Sequence, residues 1–166
     1  MTITDLISSR NVLIGLRAPD KISALRTLSA KAATATGLDP EAILTALQKR
    51  EALGSTGLGR GFAVPHARLT GLDHFFCLFA RLAKPIDFAA IDEKPVDLIC
   101  LLLIPERPGN DHVAALSAIA RQVRPDPTLA DMRKAKTADA MYARLIQDAS
   151  ASPMQASPAA PGPASG

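Results

Sequence analysis

Two long runs of apolar residues dominate the hydropathy pattern of this chain, at residues 75–82 and 96–105. A strand that is apolar at nearly every position is typical of a sheet that is covered on both faces. We therefore predict two buried strands there, and we expect the second to be central in the sheet. Residues 11–16 predict a further strand, and residues 85–88 predict a short extended piece.

Between these strands, apolar residues recur at helical spacing and the local capping signals are strong. Asp20 is a favourable N-cap for a helix over residues 21–36, which Gly37 ends. Proline is tolerated at the first helical position, so Pro40 starts a second helix, which runs to about Ala52.

Three more helical patterns follow the last strand. Asn110 or Asp111 caps a helix with one apolar face. Pro125 and Pro127 then break the chain, and shorter helices are predicted over residues 129–135 and from Thr137 onward. Because strands alternate with helices, we predict an α/β fold, a mixed central sheet with helices packed on both faces.

The composition predicts one globular domain over residues 1–148. Residues 149–166 are mostly alanine, proline, serine and glycine, so they have too little apolar surface to order themselves and predict a disordered tail. The longest apolar run is much shorter than the roughly 20 residues of a membrane span, and no signal peptide is recognised at the N-terminus. We therefore expect a cytoplasmic protein with no membrane insertion.

The charged, cysteine and histidine residues exclude several classes of function. The net charge of +3 comes without a basic run, which argues against nucleic acid as a partner. Cys77 and Cys100 lie in apolar runs and are expected to be buried thiols without a disulfide. His66, His74 and His112 show no metal-ligand spacing, so we expect no metal.

The most distinctive stretch has four glycines and two hydroxyl residues within residues 54–61, followed by the short apolar run 62–64, Pro65 and His66. Pro65 is expected to mark the end of a short strand, which places His66 at the strand end near two cations, Arg60 and Arg68. Glycines let the backbone approach a ligand closely, and successive N–H groups suit an anion. We predict that His66 carries a phosphoryl group and that a glycine-rich loop cradles the phosphate. That loop comprises Gly54, Ser55, Thr56, Gly57 and Gly59.

Other interpretations of these residues remain open. A histidine in a loop is often a surface or packing residue, and clustered glycines can form a simple turn. The stretch is not a nucleotide P-loop, because no Gly-Lys-Ser/Thr follows the glycines.

The string that runs from Glu51 through Gly-Ser-Thr-Gly to Ala-Val-Pro-His-Ala resembles the active-site signature of the type-2 enzyme IIA family of the bacterial phosphotransferase system. The resemblance extends over about residues 3–148. It implies that His66 accepts a phosphoryl group on Nε2 from a phosphorylated HPr-like protein. It also implies that Arg50 stabilises the phosphate and that His112 supports it, with no metal or nucleotide cofactor. From the residues alone, Arg50 is either a cation that suits a helix end or a guanidinium that points across the loop at the phosphate. His112 is likewise either a solvent-facing residue or part of the site.

Residues 88–98 resemble the nitrogen-regulatory branch, PtsN, more than the fructose or mannitol branches. We also expect the chain to stand alone, without a IIB or IIC domain, as that branch does. The resemblance implies a regulatory phosphocarrier with NPr, an HPr-like protein, as donor and with potassium transporters or sensor kinases as targets. A sugar-uptake IIA that passes phosphate to a IIB cysteine is one alternative. A binding domain that has lost phosphotransfer is another. Two residues depart from the signature, Ala67 in place of glycine and Phe62 in place of an aliphatic residue, and both are expected at the rim of the site.

Overall fold

The computed structural model describes residues 1–147, so the predicted tail over residues 149–166 lies outside the described part. Within that part the chain forms six strands, five α-helices and two short 3-10 turns. The strands are β1 (Val12–Leu16), β2 (Gly57–Gly59), β3 (Phe62–Ala63), β4 (His66–Leu69), β5 (Phe76–Ile86) and β6 (Val96–Pro105). The helices are α1 (Lys21–Thr36), α2 (Pro40–Ala52), α3 (Asp111–Val123), α4 (Asp126–Lys134) and α5 (Ala138–Ile146). Among residues 1–147, no helix is long and apolar enough to cross a membrane.

The six strands form one mixed sheet with β6 at its centre. The strand order is β1-β5-β6-β3-β2, and β4 also pairs with β6. Strand β6 runs antiparallel to β5 and parallel to both β3 and β4, while β1 is parallel to β5. The predicted mixed sheet and the central position of β6 are therefore confirmed.

Helices cover both faces of the sheet, as the apolar pattern of β5 and β6 predicts. Alternate side chains of β6 enter opposite cores because successive residues of a strand point to opposite faces. Leu98, Cys100 and Leu102 pack with the N-terminal turns and α3 to α5. Ile99, Leu101 and Leu103 pack with α1 and α2 on the other face. Each of these leucine or isoleucine side chains is fully buried and contributes about 1.5–3 kcal/mol through the hydrophobic effect.

Helices α1 and α2 begin and end where their capping residues predict. The Asp20 carboxylate accepts a hydrogen bond from the Ser23 N–H at 2.8 Å, and Gly37 closes α1 with a left-handed φ of 80°. Asp39 caps α2 in the same way, accepting from the Ala42 N–H at 3.2 Å.

Two boundaries differ from the prediction by three or more residues. Strand β5 is continuous to Ile86, so the predicted strand over residues 75–82 and residues 85–86 of the predicted extended piece belong to one element, and residues 87–88 follow its end. Helix α4 begins at Asp126 rather than at residue 129, because Pro127 lies in its first turn, where a missing N–H costs no hydrogen bond.

The glycine-rich stretch is not a loop over its whole length, because its second half forms a β-hairpin. Strand β2 pairs antiparallel with β3. The turn between them contains Arg60 and Gly61, with φ angles of 58° and 76°. Two successive left-handed residues are typical of the turns that join hairpin strands tightly.

Strand β4, which begins at His66, was also not predicted from the sequence pattern. The four residues of β4 pair in register with β6, with His66 opposite Leu102. Ala67 and Leu69 face the core, whereas His66 and Arg68 share the opposite face. His66 therefore follows the end of β3, as expected, but it starts a strand of its own.

Both cysteines are buried thiols, as predicted. Cys77 and Cys100 lie on neighbouring strands with their sulfur atoms 3.1 Å apart, and neither forms a disulfide. Burial raises the pKa of the Cys100 thiol well above its ordinary value, so it stays protonated and unreactive.

Candidate active site

The hydrogen bond of His66 to its own chain fixes which ring nitrogen is reactive. The Nδ1 atom lies 2.8 Å from the carbonyl oxygen of Val64. A carbonyl oxygen can only accept, so Nδ1 carries the ring proton and Nε2 carries the lone pair. The imidazole therefore presents Nε2 as a nucleophile.

The surroundings of His66 favour the neutral ring. Partial burial lowers the pKa of His66 below its ordinary value of 6.5, and the positive charge of Arg50 lowers it further. The hydrogen bond to Val64 and the carboxylate of Glu51 act in the opposite direction without cancelling the effect of burial. At neutral pH Nε2 therefore stays unprotonated and keeps its lone pair.

Arg50 reaches His66 from the last turn of α2. Its Nε atom donates to Nε2 of His66 at 3.3 Å, and its Nη1 atom donates to the carbonyl oxygen of Gly54 at 2.9 Å. The second bond holds the guanidinium in place against the reactive nitrogen. A planar guanidinium remains charged and can bind two oxygens of a phosphoryl group.

Glu51 fixes the chain that follows α2. Its carboxylate accepts hydrogen bonds from both the backbone N–H and the hydroxyl group of Thr56, whose side chain is buried. The Nζ atom of Lys21 lies 3.1 Å from the same carboxylate and donates to the carbonyl oxygen of Phe88 at 3.2 Å. These contacts hold the turn that includes Gly54, and through it Arg50. Lys21 was not a candidate from the sequence, because nothing in its local pattern places it beside Glu51.

The amide groups of the glycine-rich stretch have partners inside the protein. The Thr56 N–H donates to Glu51, and the Gly57 N–H donates to the hydroxyl oxygen of Ser55 at 3.0 Å. These two amides are therefore not free to form the predicted anion cradle. Gly57 packs closely on Ala90, where a Cβ atom at position 57 would lie 2.7 Å from the Ala90 methyl group.

The remaining members of the predicted loop divide between the site and the far end of the hairpin. Ser55 and Thr56 line a cleft beside His66. Gly54 contributes its carbonyl oxygen to Arg50, whereas Gly59 lies against the Asp92 carboxylate.

Of the two cations predicted near His66, one belongs to the site and the other does not. The Arg60 guanidinium binds the carbonyl oxygen of Val123 at 3.0 Å and the carboxylate of Asp126 at 3.0 Å, at the end of α3. Arg68 instead points along the same face of β4 as His66 and lines the same cleft. The difference arises because Arg60 lies in a hairpin turn and Arg68 lies two residues after His66 on a strand.

His112 completes the group from the first turn of α3. Its Nδ1 atom lies 3.0 Å from Nη2 of Arg68. His112 lies near Arg68 because β4 and β6 are parallel, and α3 begins after the short loop of residues 106–110 that follows the end of β6.

Two clefts meet at these side chains. The larger has a volume of about 830 Å³, and Arg50, His66, Arg68 and His112 line it. The smaller, of about 500 Å³, lies against the apolar face of α3, and Arg50, His66 and His112 line it as well. The imidazole of His66 is therefore accessible at the surface and is bordered by cationic side chains.

The two departures from the signature occupy different places. The prediction that Phe62 lies at the rim of the site is wrong. Phe62 is buried in the core, where its ring stacks on Phe79 with centroids 5.6 Å apart. Ala67 lies beside His66 with its methyl group directed into the core under α1 and α2.

Comparisons with known proteins agree with this geometry. Residues 5–148 match the family model for "Phosphoenolpyruvate-dependent sugar phosphotransferase system, EIIA 2". A nitrogen regulatory protein of Bradyrhizobium diazoefficiens is 45% identical over 145 residues, which is 87% of this chain and 95% of that protein. A fructose-specific EIIA component of Haloferax volcanii is 37% identical over 110 residues, covering 66% of this chain and 68% of that protein.

A solved structure gives the same result for the fold. The nitrogen regulatory protein IIA-Ntr of Neisseria meningitidis superposes with a TM-score of 0.81 at 29% identity, covering 86% of this chain and 98% of that one. Three observations lead to one conclusion: the α/β fold, the cleft around a neutral imidazole, and the family match over nearly all of the described residues. This chain belongs to the type-2 enzyme IIA family of the phosphoenolpyruvate-dependent phosphotransferase system.

Proposed function

We propose that this protein is a regulatory phosphocarrier that accepts a phosphoryl group on Nε2 of His66 from a phosphorylated HPr-like protein, NPr. By binding targets according to its phosphorylation state, it regulates nitrogen, potassium or carbon metabolism in the cytoplasm. The targets we propose are potassium transporters or sensor kinases. The observation that carries the proposal is the Nδ1 bond to Val64, since it leaves Nε2 unprotonated beside Arg50.

The transfer step follows from these contacts. The hydrogen bond from Arg50 to Nε2 breaks first, which frees the lone pair. That lone pair attacks phosphorus, the new N–P bond forms, and the bond to the donor breaks with its electron pair leaving on the donor. The proton on Nδ1 stays hydrogen-bonded to Val64, so the ring accepts the group without first losing a proton. Arg50 lies where its guanidinium can bind the phosphoryl oxygens, and stabilising charge by positioned donors is an effective form of catalysis.

Exposed apolar side chains around His66 support a protein as the donor. Leu53, which is 84% exposed, lines the larger cleft. Leu58 and Val113, which are 54% and 53% exposed, line the smaller one. Apolar side chains grouped on a surface are typical of protein contacts. A dianionic group at the centre of this surface would change its charge and therefore its choice of partner.

Incubation with enzyme I, an HPr-type carrier and phosphoenolpyruvate tests the proposal. We expect intact-mass spectrometry at alkaline pH to show an increase of about 80 Da in the wild type and none in His66→Ala. His74→Ala is the control, because His74 is a histidine outside the clefts, and it should gain the same mass as the wild type. Equal labelling of His66→Ala would refute the proposal.

A sugar-uptake role is the second candidate, because the Haloferax volcanii relative is named as a fructose-specific component. In that role the phosphoryl group would pass from His66 to a cysteine of a IIB domain. Transfer of label to a purified IIB domain, together with the loss of uptake of one sugar on deletion of the gene, would favour this candidate. Retention of label on the protein in the presence of IIB domains would favour the regulatory role.

A further inference from the structure

We propose that Arg68 is a positioning residue for phosphotransfer, which acts by holding the imidazole of His112 in place with Nε2 as its proton-bearing nitrogen. The proposal rests on the proposed function of His66 and adds a residue to it. Arg68 lies on β4, two residues after His66 and on the same face of the strand, so its side chain extends along the cleft.

In the contact between Arg68 and His112, the donor and the acceptor can be assigned. Nη2 of Arg68 lies 3.0 Å from Nδ1 of His112 and 3.5 Å from Nε2. A guanidinium has donors and no acceptor, so the nearer ring nitrogen must present its lone pair. In the neutral ring the proton is then on Nε2. The tautomer is the opposite of that of His66, whose Nδ1 carries the proton.

Opposite tautomers suit opposite tasks. His66 needs a bare Nε2 to form a bond with phosphorus, whereas a ring that supports the phosphate needs an N–H to donate to an oxygen. Arg50 and Arg68 each fix one imidazole, and all four side chains line one cleft. Without the contact to Arg68, the imidazole of His112 could rotate on α3, and its Nε2–H would then point toward the phosphate only part of the time.

Arg107 provides a contrast, because it lines a separate small pocket that Arg68 and His112 also line. It donates to the carbonyl oxygen of Asp73 at 3.1 Å and pairs with the carboxylate of Asp111 at 3.4 Å. Within residues 1–147, the hydrogen bonds found for the Arg68 side chain go to His112. Removing Arg107 therefore removes one positive charge near His112 without removing the contact that holds its ring.

A double-mutant cycle separates positioning from a general effect of charge. We expect Arg68→Gln to lower the kcat of His66 phosphorylation by about five- to tenfold with KM for the donor little changed, where tenfold corresponds to about 1.4 kcal/mol. Arg68→Lys should recover part of the rate, and Arg107→Gln should stay within about twofold of the wild type. In a His112→Ala background, Arg68→Gln should have no further effect, because residues that act as one unit are not additive.

Nitrogen-15 NMR of the unphosphorylated protein gives a second readout. At a pH where both rings are neutral, His112 should show a protonated Nε2 and a bare Nδ1, and Arg68→Gln should shift it toward the mixture of tautomers of a free side chain. Four results would each overturn the role of Arg68. The rate losses of Arg68→Gln and His112→Ala could multiply in the double mutant, or Arg107→Gln could lower the rate as much as Arg68→Gln does. Arg68→Gln could also change only KM, or leave the His112 spectrum unaltered. If the wild type gains no phosphoryl group, the proposed function itself fails. Phosphorylation at His66 together with any of the four results above refutes only the role of Arg68.

Discussion

Replacing Arg50 with glutamine removes the cation that lies closest to the reactive nitrogen of His66. The change deletes the bond from Nε to Nε2 at 3.3 Å and the bond from Nη1 to Gly54 that holds the guanidinium. Hydrogen bonds that involve a charged group contribute about 1.5–3 kcal/mol. If one such bond to the phosphoryl group is lost in the transition state, the rate should fall by about 10- to 150-fold.

The assay is a single-turnover transfer from a phosphorylated HPr-type donor, quenched in alkali and followed by the label on the protein. Arg50→Lys should be intermediate, because an ammonium keeps the charge but cannot span both acceptors. Lys49→Gln is the matched control, since Lys49 precedes Arg50 on α2 and lines the same cleft, and no hydrogen bond to His66 is found for it within the described residues. A rate within about threefold of the wild type for Arg50→Gln, with unchanged thermal unfolding, would show that the guanidinium does not take part.

Three further changes test other parts of the structure. Arg60→Gln should leave phosphotransfer within about twofold of the wild type and lower the free energy of unfolding by about 1 kcal/mol, because its guanidinium caps the end of α3; a large loss of transfer would contradict its placement. Gly57→Ala should cost about 1–3 kcal/mol in urea unfolding through overlap with Ala90, with partial recovery when Ala90→Gly is added; unchanged stability would show that the close packing is wrong. Because the pKa of His66 is lowered in the folded protein, the unfolded chain binds the proton more readily, so His66 should reduce stability as the pH falls from about 6.5 to its folded pKa, with no further change below that. Replacing His66 with glutamine should remove this part of the pH dependence of unfolding, and an identical profile for the variant would refute the assignment.

The parts of the fold that are set by local contacts could be predicted from the sequence. Helices α1 and α2 match their predicted ranges because Asp20 and Asp39 cap backbone groups only three residues away. The buried strand β6 could be predicted because every residue in it except Asp97 is apolar, on both faces of the strand.

The parts of the fold that depend on residues distant in the sequence could not be predicted in this way. Strands β2 and β4 are three and four residues long, and they pair with β3 and β6, which lie elsewhere in the sequence or across a turn. Polar and apolar residues do alternate in β4, but four residues are too few for that alternation to predict a strand. For the same reason the sequence placed Arg60 and Arg68 together near His66, although the hairpin turn carries Arg60 to the end of α3.

The candidate site shows the same division. The resemblance, with Arg50 at the family's interval before His66, predicts that these two residues share a site, and the structure brings their side chains together. The contact of Lys21 with Glu51 and that of Arg68 with His112 depend on tertiary packing and leave no local signal. The predicted cradle of backbone amides failed at Thr56 and Gly57 because these groups find acceptors within the turn itself.

The central claim is that Nε2 of His66 is the phosphoryl acceptor, and NMR of the phosphorylated protein tests it most directly. In a sample labelled with nitrogen-15 and kept at alkaline pH, the account predicts coupling between phosphorus-31 and Nε2 of His66, with the proton still on Nδ1. Coupling to Nδ1 of His66, or to a nitrogen of any other residue, would contradict it.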